Sequence, residues 1–342
     1  MHPATTATPV AVGVDIGGTK AKVCVADLDG TVLFLERLST TEAATTSALL
    51  GDVAASVERF LRSRERLTGA TAALVCAGLV TPGVVTDGLI GLAPNNPGME
   101  ASNPAQELAR LLGLQRVAWA NDVKAAAMAD HRWGELRGAR CGLYINLGTG
   151  FSAGAVIDGV PLGGAHGAAL EVGYLLPSTA LGPGHRSGAA PLEDLISGSA
   201  LSQRAKDVAG TELSASDVLS LLLEPVAVPP GGPALRDLAE QAVEQLCRAV
   251  VNLAVTLDPD TISVGGGVCA AAPAFIPALR SALDEYVPYP PRLVLSSTPD
   301  DLSMLGALLL AYRDAGADVG SLTFPGTDFP HAGLPLGSLP AA

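Results

Sequence analysis

From Val10 the chain runs Val10-Ala11-Val12-Gly13-Val14-Asp15-Ile16, apolar except for a glycine and one acid near its end. Gly17-Gly18-Thr19-Lys20 follow, then a second apolar run, Val23-Cys24-Val25-Ala26. Short apolar runs split by a glycine corner predict two strands in a hairpin, with the corner at Gly17-Gly18. After the Asp29-Gly30 turn, Thr31 to Glu36 predicts a third strand, which completes a meander. Glu42 to Arg66 carries Leu49, Leu50, Val53, Val57, Phe60 and Leu61 at helical spacing, with charges on the other face and Gly69 just beyond. Ala72 to Ala77 is a continuous apolar run of the kind covered on both faces. Thr81-Pro82-Gly83-Val84-Val85 through Ala93-Pro94-Asn95-Asn96-Pro97-Gly98 reads as loop with short strands, followed by a helix over Pro104 to Leu112 and a strand over Gln115 to Ala120.

The pattern then restarts. Leu143-Tyr144-Ile145-Asn146-Leu147 ends in the corner Gly148-Thr149-Gly150, and Ser152 to Ile157 and the Asp158-Gly159 turn make another meander. Helices are predicted over Ser197 to Val208, Ser216 to Leu223 and Pro233 to Leu257. A buried strand over Thr261 to Val264 enters Gly265-Gly266-Gly267. A helix over Ala274 to Tyr286, a strand over Arg292 to Ser296 and a last helix over Asp301 to Arg313 complete the series. Residues 315–342, rich in Gly, Pro, Ser and Ala, read as a disordered tail. Strands alternating with helices in two repeated halves predict an α/β fold of two domains.

Composition narrows the partners. A net charge of −13 with no basic block argues against a long polyanion, so no nucleic acid is expected. No apolar run reaches the roughly 18 residues of a membrane span, and residues 1–10 carry no secretory pattern, so no membrane and a cytoplasmic location are expected. Cys24, Cys76, Cys141, Cys247 and Cys269 are scattered without a CxxC pair, which suits reduced thiols.

Against that charge, an anionic ligand must be held locally. Glycine amides at Gly17-Gly18, the Thr19 hydroxyl and the Lys20 ammonium can converge on a phosphate, and Asp15 can hold a hydrated Mg²⁺ between phosphates. The plainer alternative is a tight turn with an exposed lysine. Its counterpart at Gly148-Thr149-Gly150 would, with the halves facing each other, put phosphate-holding hairpins on both walls of one cleft.

The set Asp15-Ile16-Gly17-Gly18-Thr19-Lys20, Asn121-Asp122, Leu147-Gly148-Thr149-Gly150 and Gly265-Gly266-Gly267 resembles the ROK family of sugar kinases and repressors, over roughly residues 11–313. Thr81 to Val85 and Ala93-Pro94-Asn95 look like that family's sugar-side loops. The resemblance implies the actin/hexokinase fold, two ribonuclease-H-like domains around an ATP cleft, with residues 10–121 plus 301–314 in one and 122–300 in the other. It implies ATP-dependent phosphorylation of a hexose or amino-sugar hydroxyl, the one on C6, with Asp122 as general base and Asn121 as its positioning partner. Asn121-Asp122 also reads as a helix N-cap. Glu171, Tyr174, Glu193 and Asn95 would meet the sugar, and Gly265-Gly266-Gly267 would let adenosine lie on bare backbone. Helix-first-turn acid is the alternative for Glu193.

The chain departs from the family pattern in several places. Tyr174 stands where the family has a histidine, Leu170 where it has glycine, and Lys124 where a small or amide residue is common. Leu176 to Pro191 contains no cysteine, so the structural zinc of many members is not expected. A catalytically weak sugar-binding or regulatory protein is the alternative these departures raise. A DNA-binding repressor is disfavoured, since about ten residues precede Val12, too few for a helix-turn-helix. The family also implies a homodimer or homotetramer.

Overall fold

The computed structural model describes residues 7–18, 20–40, 43, 45–68, 71–86, 88–93, 99–177, 182–210, 212–223, 231–298 and 301–323. Thr19, Glu42, Gly69, Asn95 and residues 324–342, all singled out above, lie outside the described residues.

Along the chain the first elements are β1 (Thr8–Ile16), β2 (Lys20–Asp27), β3 (Val32–Ser39), α1 (Thr46–Thr68), β4 (Ala72–Thr81), β5 (Val84–Thr86), β6 (Leu89–Gly91), α2 (Pro104–Leu112), β7 (Ala118–Asn121) and α3 (Asp122–Trp133). Next come β8 (Cys141–Leu147), β9 (Phe151–Ile157), β10 (Val160–Pro161), α4 (Glu193–Ile196), α5 (Gly198–Ala209), α6 (Ala215–Ser220), α7 (Gly232–Leu257), β11 (Thr261–Gly265), α8 (Ala272–Tyr286) and β12 (Arg292–Leu295). The closing helix α9 spans Leu302–Asp314. Two compact units result: residues 1–133, 165–167 and 301–342, and residues 134–164 with 168–300.

In the first unit the sheet order is β3-β2-β1-β4-β7, the meander antiparallel and β1, β4 and β7 parallel. Period-2 alternation gives β1 two different faces. Val10, Val12, Val14 and Ile16 enter a core with Leu49, Leu50, Val53 and Val57 of α1 and Leu108 of α2. The opposite face carries Ala11, Gly13 and Asp15, and α9 covers it. A Cβ on Gly13 would lie 2.8 Å from the Leu308 nitrogen, and one on Gly78 of β4 only 1.9 Å from the Ala307 carbonyl oxygen. The helix therefore seats directly on strand backbone. It is apolar nearly all round because α3 covers its far side, against Gly306.

In the second unit the order is β10-β9-β8-β11-β12, with the same alternation of antiparallel and parallel pairs. Leu143, Ile145, Phe151, Ile262 and Val264 pack there against Leu235, Leu246 and Val250 of α7 and Phe275 and Leu279 of α8. Residues 165–167 leave this unit for the first, where the Thr86 hydroxyl donates to the His166 carbonyl at 2.6 Å.

Three expectations are corrected. Helix α3, placed by sequence in the second domain, belongs to the first unit, because its Ala125 backbone abuts Gly306 of α9. Residues 315–323 are not a disordered tail: Val319 is buried, Arg132 donates to Asp318 Oδ1 (2.6 Å), and the Val32 amide donates to the Thr323 carbonyl (2.8 Å). The first hairpin closes with the Gly17 N–H donating to the Lys20 carbonyl (2.9 Å), so Gly17 belongs to the closing pair and not to the corner itself.

A methyl group on Gly306 would lie 2.4 Å from the Ala125 carbonyl carbon and oxygen. Gly306→Ala should therefore cost a net of about 2 kcal/mol, overpacking exceeding the ~1 kcal/mol gained in helix propensity. Scanning calorimetry should show a fall of roughly 4–8 °C in the melting of the first unit. An unchanged melting temperature would be incompatible with this helix contact.

Candidate functional site

Asp15, Thr81 and Asn121 end three neighbouring parallel strands, and the register places Asp15 opposite Val80 and Thr81 opposite Asn121. The Asp15 and Asp122 backbones thus lie at the same carboxyl edge of one sheet, two strands apart, roughly 10 Å at the usual strand spacing. Carboxyl edges of such sheets are where α/β proteins bind ligands.

Asn121 is buried, and its side chain is fully engaged. Its Nδ2 donates to the Gly83 carbonyl (2.9 Å) and to Asp122 Oδ1 (3.1 Å), while its Oδ1 accepts the Lys124 N–H (3.1 Å). Asn121 is therefore the N-cap of α3 as well as the neighbour of Asp122. Asp122 stands in the first turn, its Oδ1 accepting the Val123 N–H at 2.8 Å. Gly83, at φ +89°, makes the turn that brings its carbonyl back to Asn121, and a Cβ there would meet the Gly91 carbonyl at 2.8 Å.

Asp15 is buried on the α9 face. Burial raises its pKa above the usual carboxylate value, opposed by a hydrogen bond from the Ser303 hydroxyl (2.6 Å) and by the Lys22 charge, with the Asp301 charge adding to the rise. Lys22 is its cross-strand partner and lies 3.0 Å from Asp301 Oδ1, with Arg37 3.8 Å from the same oxygen. Lys22, Asp301 and Ser303 were absent from the sequence-level site. Hairpin register alone would have found Lys22; Ser303 of α9 and Asp301, just before it, had no local signal. Gly17 does not use the left-handed region; a Cβ there would sit 3.2 Å from the Lys20 carbonyl, and Lys20 is exposed.

In the second unit the Gly148-Thr149-Gly150 turn is gripped from outside. The Gly198 N–H donates to the Gly148 carbonyl (2.9 Å), and the Ser199 N–H and hydroxyl donate to the Thr149 carbonyl (3.1 and 2.8 Å). The carbonyls face the first turn of α5, so the Thr149 and Gly150 amides, without an acceptor among the described residues, remain for an anion. Glu193 Oε2 accepts the Phe151 N–H (2.9 Å) and lies 2.8 Å from where a Gly150 Cβ would be. Burial raises the Glu193 pKa, the Phe151 amide lowers it, and the charges of Asp194 and Glu171 raise it. Tyr174 meets His185 edge-on, ring centroids 5.3 Å apart.

The three glycines after β11 divide. Cβ atoms on Gly265 and Gly266 would lie 2.5 Å from the Tyr144 hydroxyl and 2.3 Å from the Leu147 carbonyl, whereas one on Gly267 would meet nothing within 4 Å. Close packing on β8 thus requires the first two; the third alone leaves open backbone.

Among the described residues no group of three or more His, Cys, Asp or Glu is placed to hold a metal ion by protein alone; in the first unit Asp15 at the sheet edge suits a cation that arrives with phosphates, and in the second the Thr149 and Gly150 amides suit an anion. No helix among the described residues is long and apolar enough to cross a membrane.

A sheet of order 3-2-1-4-5 in each unit, its first hairpin closed at a glycine corner, defines the ribonuclease-H-like fold of the actin/hexokinase class. Residues 11–314 match the model of the ROK family, and the chain belongs to that family. It is 30% identical over 286 residues to a kanosamine kinase of Amycolatopsis mediterranei, 82% of this chain and 88% of that one. It is 29% identical to an N-acetylmannosamine kinase of Salmonella heidelberg, covering 88% and 98%. Its structure matches the ROK hexokinase of Thermus thermophilus with a TM-score of 0.68 and 28% identity, over 90% of this chain and all of that one.

Because the Glu193 pKa is raised on folding, its charged form costs stability: the contribution is best below the unfolded value near 4.5 and is lost as pH rises through the folded one. Glu193→Gln, which keeps an acceptor for Phe151, should gain in melting temperature relative to the parent protein between about pH 4 and pH 7. A difference that does not change over that range would contradict the half-buried carboxylate.

Proposed function

We propose that this protein phosphorylates a hexose or amino-sugar hydroxyl, on C6, with ATP as donor. The observation that carries the reading is the shared sheet edge of Asp15 and Asp122, one carboxylate for the cation between phosphates and one beside a cap that fixes its direction. Kinase relatives at 30% and 29% identity support it.

A sugar hydroxyl is a poor nucleophile until its proton has an acceptor. Asp122 takes that proton as the hydroxyl oxygen bonds to the γ-phosphorus and the bond from phosphorus to the bridging oxygen breaks, leaving a sugar phosphate and ADP. Asn121, tied to Gly83 and to the Lys124 amide, leaves Asp122 little rotational freedom. Glu171, Tyr174 and Glu193 would meet the sugar, and Gly17, Gly18, Thr19, Lys20 and the turn from Gly148 to Gly150 the phosphates. Gly267 would lie against adenosine, with Gly265 and Gly266 shaping that turn. Asp15 would hold Mg²⁺, which supplies charge neutralisation at the transferred phosphate. No zinc is part of this reading.

Asp122→Asn should lower sugar phosphorylation by about 10²–10⁴-fold while leaving melting temperature near that of the parent. An ADP-release assay across hexoses, N-acetylhexosamines and polyols reads both the loss and the sugar. Robust turnover by the variant would remove Asp122 from the base role; parent protein inactive on the whole panel yet binding a sugar would favour the regulatory alternative.

A further inference from the structure

We propose that Ser303, on the closing helix, is a positioning residue that holds the Asp15 carboxylate turned toward the cation and away from Lys22. The inference rests on the reading of Asp15 given above. Alternation along β1 points Asp15 at α9, together with Ala11 and Gly13, and the Gly13 contact brings the helix close enough for a side chain of its first turn to reach across. Ser303 Oγ donates to Asp15 Oδ2 at 2.6 Å, and this is the one hydrogen bond of that carboxylate among the described residues, so Oδ1 is left for a ligand.

The competing partner is adjacent. Lys22 sits directly opposite Asp15 in the antiparallel register, where opposed side chains start about 5 Å apart. Two features of the same helix turn oppose that pairing. Asp301 draws the Lys22 ammonium to 3.0 Å, and Ser303 fixes Asp15 by a hydrogen bond to a charged acceptor. Without the hydroxyl, the carboxylate is free to rotate toward Lys22, and an ion pair there would compete with a divalent cation for the same oxygens.

The full-length chain can be titrated with Mn²⁺ in the presence of a non-hydrolysable ATP analogue, free Mn²⁺ being read by electron paramagnetic resonance. Ser303→Ala should weaken Mn²⁺ binding about 10-fold, with analogue affinity in the absence of metal and sugar affinity unchanged. Ser303→Thr should restore Mn²⁺ affinity to within about 2-fold, since it keeps the donor. Ser303→Cys, close in volume but a weak donor, should behave like alanine and serves if alanine disturbs folding. Normal Mn²⁺ affinity in the alanine or cysteine variant, while Asp15→Asn loses it, would overturn this proposal alone. Normal affinity in Asp15→Asn as well would overturn the assignment of the cation to Asp15 and this proposal with it. Equal losses of metal and metal-free analogue binding would make Ser303 merely structural.

Discussion

The contact on which the first unit depends is the seating of α9 on bare strand backbone at Gly13 and Gly78, with α3 laid on Gly306 in turn. Dispersion attraction decays steeply with separation, so a few missing Cβ atoms decide whether a helix lies on a sheet or stands off it. The consequences reach the chemistry. The same seating delivers Asp301 and Ser303 to the end of β1, and it fixes the helix whose first residue is Asp122. A helix from the far end of the sequence thus supports both carboxylates of the sheet edge. That is why the first unit is discontinuous along the chain.

Charge is managed locally in a protein whose net charge is −13. Asp15 is buried, which by itself disfavours its ionised form, and the Ser303 hydroxyl and Lys22 ammonium work in the other direction. Lys22, Arg37 and Asp301 form a row beside the corner of the first hairpin, so the positive charge nearest Asp15 is already matched. In the second unit the Gly148 and Thr149 carbonyls accept from the start of α5 and the Gly150 carbonyl accepts the Gly148 N–H, so the Thr149 and Gly150 amides are what the turn offers outward.

Much of the candidate site was legible in the sequence because its motifs are strand ends and glycine corners, whose positions follow from short-range periodicity. Asp15, Asn121-Asp122 and Gly148 to Gly150 could be placed from the runs that precede them. Roles were harder to read. Asn121 serves as helix cap and as neighbour of Asp122 at once, so two readings that competed on paper coexist in one side chain. Gly265 and Gly266 read in sequence as a bed for adenosine or as a strand-to-helix turn, and the missing Cβ atoms there make room for Tyr144 and for the Leu147 carbonyl. Glu193, read in sequence as a sugar-side glutamate or a first-turn helix acid, has one oxygen beneath the second glycine corner, where it accepts the Phe151 N–H.

Sequence alone determined the two repeated meanders and nearly every helix and strand, because the alternation of apolar and polar residues is local and strong, while the family was legible only as a resemblance in the motifs at residues 15–20, 121–122, 147–150 and 265–267. Tertiary structure decided which half owns α3, where residues 315–323 lie, and which side chains reach Asp15. Those outcomes turn on contacts between residues as far apart as Asp15 and Ser303, and no periodicity within one segment encodes how closely two distant backbones can approach.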